Sequence, residues 1–274
     1  MPQDIAPTPA TPSHSLGRAV AAWADWYVRM GVLDSVELSG IDRYRSAAPA
    51  MPAPAPSRAE AAPPARRPAA AAGEQVQHAR ALAAACATIE ELETALEGFD
   101  GCPLKRTATR LCFADGNPRA RVLLIGEAPG AEEDRSGKPF VGPSGQLLDR
   151  MLAAIGLDRR TVRITNIIYW RPPGNRPPTA TEIAVCQPFL ERQIELMRPE
   201  RLLFLGGSSA RGLLEVTEGV TKLRGRPFVY QPADGPPIPA AITFHPAYLL
   251  RSPAQKRLVW RDLLTLRREL AGHG

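Results

Sequence analysis

The chain reads as an α/β protein, a parallel sheet covered by helices on both faces with its ligand site at the carboxyl ends of the strands. Three observations carry this reading. Strand-like and helix-like segments alternate from Phe99 to Leu270. The first apolar run, Arg121–Val–Leu–Leu–Ile125, breaks at once into Gly126–Glu–Ala–Pro–Gly130, a loop whose backbone can closely approach a ligand. Each strand end is then followed by residues suited to chemistry rather than by spacer. With 274 residues, 44% of them hydrophobic, the chain can bury one substantial core, and no apolar run approaches the length of a membrane span.

Residues 1–46 hold one short amphipathic helix, with Leu16, Val20, Trp23 and Tyr27 at helical spacing. It either docks on this chain's own core or binds a protein partner. Residues 47–73 are almost entirely Ala and Pro with a few arginines, a composition that buries too little apolar surface to offset chain entropy, so they read as a semi-extended linker. A single domain follows over 74–274. Thr88 and Glu91 form a capping-box pattern before Ile89, Leu92 and Leu96, which predicts a helix ending near Gly98. Strands are expected at Arg121–Ile125, Val162–Tyr169, Arg201–Leu205 and Ala241–Phe244, and helices near Gly145–Ile155, Ala180–Met197, Ser208–Leu214 and Ala254–Leu270. Ser252 and Pro253 read as N-cap and first-turn proline of the last helix. The result is a three-layer αβα sandwich around a central, mostly parallel four-stranded sheet.

The formal charge of +6 is compatible with a polyanionic partner such as nucleic acid. Cys86, Cys102, Cys112 and Cys186 form no Cys-x-x-Cys pair, which argues against a disulfide framework. The N-terminus is Pro- and Thr-rich with no charged region leading into an apolar one, so the expectation is a cytoplasmic, non-membrane, monomeric protein.

Four strand ends converge on one crevice: Gly126–Gly130 after the first, Asn166 with Arg171–Pro–Pro–Gly–Asn–Arg176 after the second, Gly206–Gly207 after the third, and His245–Pro–Ala247 after the last. With Glu133–Asp134, Gly137–Lys–Pro–Phe–Val–Gly142 and His245–Pro–Ala–Tyr–Leu–Leu–Arg251, in this order and spacing, the chain resembles the uracil-DNA glycosylase superfamily, specifically its family 4 enzymes, over roughly Phe99 to Leu270. The resemblance implies a DNA repair hydrolase that flips deoxyuridine out of the helix, hydrolyses its N-glycosidic bond and leaves an abasic site. Uracil-containing DNA is then the partner.

By the same resemblance Phe140 stacks on uracil and Asn166 reads it, accepting from N3–H and donating to O4, where cytosine presents the opposite pattern. His245 matches the donor at uracil O2, aided by backbone N–H groups around Gly126, Glu127 and Ala128. Glu127 either orients the attacking water or stabilises the sugar cation. Glu133 matches an acidic residue near uracil C5, where it would exclude a thymine methyl; its alternative is a solvated residue in an acidic turn. Tyr248, Leu249, Leu250 and Arg251 resemble the wedge that fills the vacated stack and holds a phosphate, and Arg176 lies on the DNA side.

The family holds a [4Fe–4S] cluster on four cysteines, and here those positions read Phe99, Cys102, Trp170 and Cys186. Two aromatics cannot ligate iron, so the expectation is no cofactor. The alternative to an enzyme is a non-catalytic DNA- or nucleotide-binding module on the same fold. The full set Glu127, Phe140, Asn166 and His245 separates the two, since a binder has no use for a residue at every step of base cleavage.

Overall fold

A computed structural model describes residues 68–272. The expected helix around Leu16, Val20, Trp23 and Tyr27 lies outside the described residues. The elements, in chain order, are α1 (Pro68–Ala85), α2 (Ile89–Gly98), β1 (Ala114–Gly116), β2 (Val122–Gly126), α3 (Ala131–Ser136), α4 (Pro143–Ala153), β3 (Val162–Asn166) and α5 (Ala180–Met197). There follow β4 (Arg201–Leu205), α6 (Gly207–Leu214), α7 (Val220–Leu223), β5 (Phe228–Tyr230), β6 (Ile238–Thr243), α8 (Pro246–Arg251) and α9 (Lys256–Ala271).

The sheet has six strands in the order β1-β3-β2-β4-β6-β5 rather than the four expected. The four expected strands are its parallel centre. The two additions are antiparallel edges, β1 on β3 and β5 on β6. Each is three residues long and only partly buried, too short for its own pattern to mark it as a strand.

Period-2 alternation divides the core into two layers. Leu123, Ile125, Leu202 and Phe204 point to one face, where α2 and α5 supply Leu92, Leu96 and Phe189. Val122, Leu124, Leu203 and Leu205 point to the other, where α4 and α9 supply Leu148, Leu152, Val259 and Leu263. This is the three-layer sandwich, and among the described residues no helix is long and apolar enough to cross a membrane.

Three local readings change. Residues expected in the linker up to Gly73 belong in part to α1, whose Ala79 and Ala83 are buried in the first core layer. The second central strand stops at Asn166: Ile167 donates to the Gly126 carbonyl at 3.0 Å, and Ile167 to Trp170 run on as buried irregular chain, so their apolar character reflects burial rather than pairing. The last helix starts at Lys256 after a 3-10 turn at Pro253–Gln255, and Ser252, making no side-chain cap, instead ends α8. The Thr88 cap stands, its hydroxyl accepting from Glu91 N–H at 3.1 Å.

Candidate functional site

In the parallel centre the strand order reverses at β2, with β3 on one side and β4 on the other, and the crevice beyond their carboxyl ends is where an α/β sheet holds its ligand. Gly126 ends β2 and pairs in register with Asn166, which ends β3. The Asn166 side chain is 1% exposed, and neither its Oδ1 nor its Nδ2 has a hydrogen-bond partner. Leaving a buried polar group unpaired costs about 1–3 kcal/mol, so this amide is held ready for a donor and an acceptor that the fold does not supply. Gly126 makes the arrangement possible. A Cβ there would overlap Asn166 Oδ1 and lie 2.6 Å from the Phe140 ring.

Phe140 is buried and holds a left-handed backbone, φ 55°, rarely adopted by a bulky residue. Glu133 organises its loop: Oε1 accepts from Val141 and Gly142 N–H, each at 2.9 Å, and Oε2 accepts from Gly130 N–H at 3.1 Å. One carboxylate thus ties the loop after β2 to the loop that carries the aromatic. Glu133 is neither of the solvated kind nor free to reach outward, since it is 8% exposed and both oxygens are engaged.

His245 follows β6 and caps α8, its Nδ1 accepting from Ala247 N–H at 3.1 Å. That bond leaves the proton of the neutral imidazole on Nε2, the free donor. Burial first, and then the positive charge of Arg251, hold its pKa down at about 4, against a smaller opposing pull from Glu133. The imidazole lies 5.4 Å from the Phe140 ring, centroid to centroid, at 30°. Burial raises the Glu127 carboxyl above the ordinary range, while a hydrogen bond to Ser208 and the charge of Arg211 draw it back.

Beside them lies a cleft of about 510 Å³ walled by Glu127, Ala128, Glu133, Phe140, Arg176, His245, Tyr248 and Arg251, with Gly126 and Asn166 not in its wall but next to the Phe140 ring that is. Tyr248 stacks on Phe244 with centroids 4.9 Å apart. Leu249 departs from the expected DNA-contacting role: it is fully buried in the core with Val259 and Leu263, so of the two adjacent leucines only Leu250, 42% exposed, reaches the surface. Successive helical residues diverge by about 100°, so two adjacent leucines cannot share one face. Arg176 reaches the cleft but is clasped by Glu182 in a bidentate pair of 2.9 and 2.6 Å. Ser144, Pro177, Pro178 and Arg211 escaped the sequence reading, because no local pattern ties them to Glu127 or Phe140.

Away from the cleft, Cys102 and Cys186 meet with their sulfurs 4.0 Å apart, fully buried. Phe99 packs on Phe189, centroids 5.3 Å apart, and Trp170 meets Tyr169 edge-on at 6.4 Å. Cys86 donates to the Leu82 carbonyl at 3.2 Å, and burial pushes the Cys112 thiol well up. Among the described residues no group of three or more His, Cys, Asp or Glu side chains is set to hold a metal ion. Two thiols and two packed aromatics do not fit a four-thiolate cluster.

Residues 113–264 match the family model described as the uracil DNA glycosylase superfamily. The chain is similar to a type-4 uracil-DNA glycosylase of Pyrobaculum aerophilum, 37% identical over 179 residues that cover 64% of this chain and 91% of that one. It is also similar to the type-4 enzymes of Thermotoga maritima, 39% identical over 59% of this chain and 84% of the relative, and of Archaeoglobus fulgidus, 40% identical over 56% and 78%.

Proposed function

The chain belongs to the uracil DNA glycosylase superfamily, and from that premise we infer that its cleft flips deoxyuridine out of DNA and hydrolyses the bond between uracil and the sugar. The observation that carries this is the Asn166 amide, buried and unpaired at both atoms beside the Phe140 ring. Uracil N3–H and O4 would satisfy Oδ1 and Nδ2 together, with the ring stacked on Phe140. Cytosine would set acceptor against acceptor and donor against donor.

As the C1′–N1 bond breaks, its electron pair leaves with uracil and positive charge grows at C1′. The Nε2–H of neutral His245 donates to O2, and the backbone N–H groups around Glu127 and Ala128 add to that stabilisation. Water adds to C1′ and its proton ends on the departing base. Glu127 serves at the sugar, by orienting that water or by offsetting the cation's charge. Glu133 acts by holding the loops of the pocket, with exclusion of a thymine methyl the consequence of the wall it forms. Leu250, Tyr248 and Arg251 supply the wedge and phosphate contact, and Arg176 the neighbouring cation.

Incubating the purified protein with oligonucleotides carrying one uracil, without added metal, should release free uracil and leave an alkali-labile site. An equivalent cytosine strand should stay intact. Tight binding without release would instead establish a binding module.

We assign no iron–sulfur cluster to this chain, since its framework offers two thiolates where four are needed. Anaerobically purified protein should be colourless and hold less than about one iron per chain, against the four of a cluster. Stoichiometric iron with sulfide would overturn the assignment. Every group assigned above to the cleft falls between Gly126 and Arg251 in the chain, so a protein starting just ahead of α1 should keep its turnover; loss of activity with an intact circular dichroism spectrum would show that the N-terminal segment completes the site.

A further inference from the structure

The loop from Pro139 to Gly142 is gripped from two sides. Glu133 holds its N–H groups, as described, and its carbonyls go to Arg159, in the turn between α4 and β3. There Nη1 donates to the Pro139 carbonyl at 3.2 Å and Nη2 donates to the Phe140 carbonyl. The guanidinium is itself fixed, its Nη1 on Asp115 Oδ2 at 2.6 Å and its Nε on Asp149 Oδ1 at 2.8 Å. On the opposite side Gly145 backs the same carbonyl so closely that a Cβ would overlap it. All this surrounds Phe140, which with Asn175 is one of two non-glycine residues of the cleft wall whose backbone is left-handed, and the bulky one of the pair. A non-glycine residue persists in that region only where its surroundings over-determine it.

We propose that Arg159, anchored by Asp115 and Asp149, is a positioning residue for base stacking: it locks the left-handed backbone of Phe140 and so fixes the ring against which the flipped base rests. The proposal rests on the reading of the cleft as a uracil site. Arg159 itself does not line the cleft, and its guanidinium is engaged by two carbonyls and two carboxylates rather than turned toward it. When the clamp is lost, the backbone relaxes and the ring no longer waits in the stacking position. The bound complex then spends less time with the base in its reactive pose, while contacts to the phosphates stay. The loss therefore falls on kcat, with KM for DNA nearly unchanged.

The test is a double-mutant cycle on uracil release, with Arg159→Gln, Phe140→Ala and the double variant compared with wild type. Arg159→Gln should lower kcat about 10-fold or more and leave KM within about twofold, as expected for a lost preorganising contact. In the Phe140→Ala background the same change should cost less than about threefold, since its target is gone. Arg159→Lys should recover part of the rate, because one ammonium keeps the charge but cannot span two carbonyls and two carboxylates. If Arg159→Gln does not fold, Asp149→Asn, at a half-exposed side chain, removes only the Nε anchor, and its effect too should vanish without the Phe140 ring. An active wild type in which the losses multiply would overturn the role of Arg159 alone. A wild type that releases no uracil would overturn the uracil reading and this proposal with it.

Discussion

Asn166→Asp should lower uracil excision at pH 8 by about 100-fold or more, the scale of about 3 kcal/mol lost at the transition state. The substitution preserves shape, so the fold has no reason to change. Its charge is the difference: an ionised carboxylate accepts from N3–H but turns a lone pair, not a donor, toward O4. The new group would sit where Asn166 sits, 1% exposed and with no protein partner, and desolvation drives such a carboxyl above its ordinary pKa. Acidification therefore restores the donor, and the variant's rate should climb toward low pH. The protonated acid can also turn its donor to cytosine N3 and its acceptor to the N4 amine, so cytosine release should emerge over the same pH range. Single-turnover assays on paired uracil and cytosine strands measure both. A wild-type rate at pH 8 would remove Asn166 from the reading step.

His245→Ala should lower kcat about 100-fold while affinity for uracil-containing DNA falls far less, the effect of deleting one preorganised donor. Because the folded pKa lies at about 4, the imidazole is already neutral across neutral pH, and the wild-type rate should show no limb centred near the free-histidine value of 6.5. A limb there on which the rate falls as pH rises, and which disappears in the variant, would mean that the imidazolium is the active form. The stability consequence has a definite sign. A depressed pKa means that the unfolded chain takes up the proton more readily, so the contribution of His245 is complete above about pH 6.5 and is lost as pH falls toward about 4. Over that interval wild type should lose melting temperature relative to His245→Ala, starting from a constant difference above about pH 6.5 that includes the lost cap at Ala247.

The central strands were legible because they are short and largely buried on both faces, β2, β3 and β4 at every residue and β6 at all but Pro239 and Ala241. The edge strands were not, because Ala114–Gly116 and Phe228–Tyr230 owe their state to a neighbour rather than to their own pattern. Gly126, Asn166 and His245 could be singled out because strand ends mark the ligand side of a parallel sheet. Leu249 and Leu250 look equivalent in sequence and separate only when a helix turns one inward.

What the amino-acid sequence determined by itself is therefore the layer architecture, the strand ends that meet, and the residue types delivered there, since all of these follow from local periodicity and from chain order. Tertiary structure alone decided the state of those residues. The neutral His245 with its proton on Nε2, the unpaired amide of Asn166, the left-handed Phe140 between Glu133 and Arg159, and the aromatic packing beside Cys102 and Cys186 each depend on groups brought together from separate segments. Desolvation and hydrogen bonding are set by what lies within a few ångströms in space, and distance along the chain does not report it.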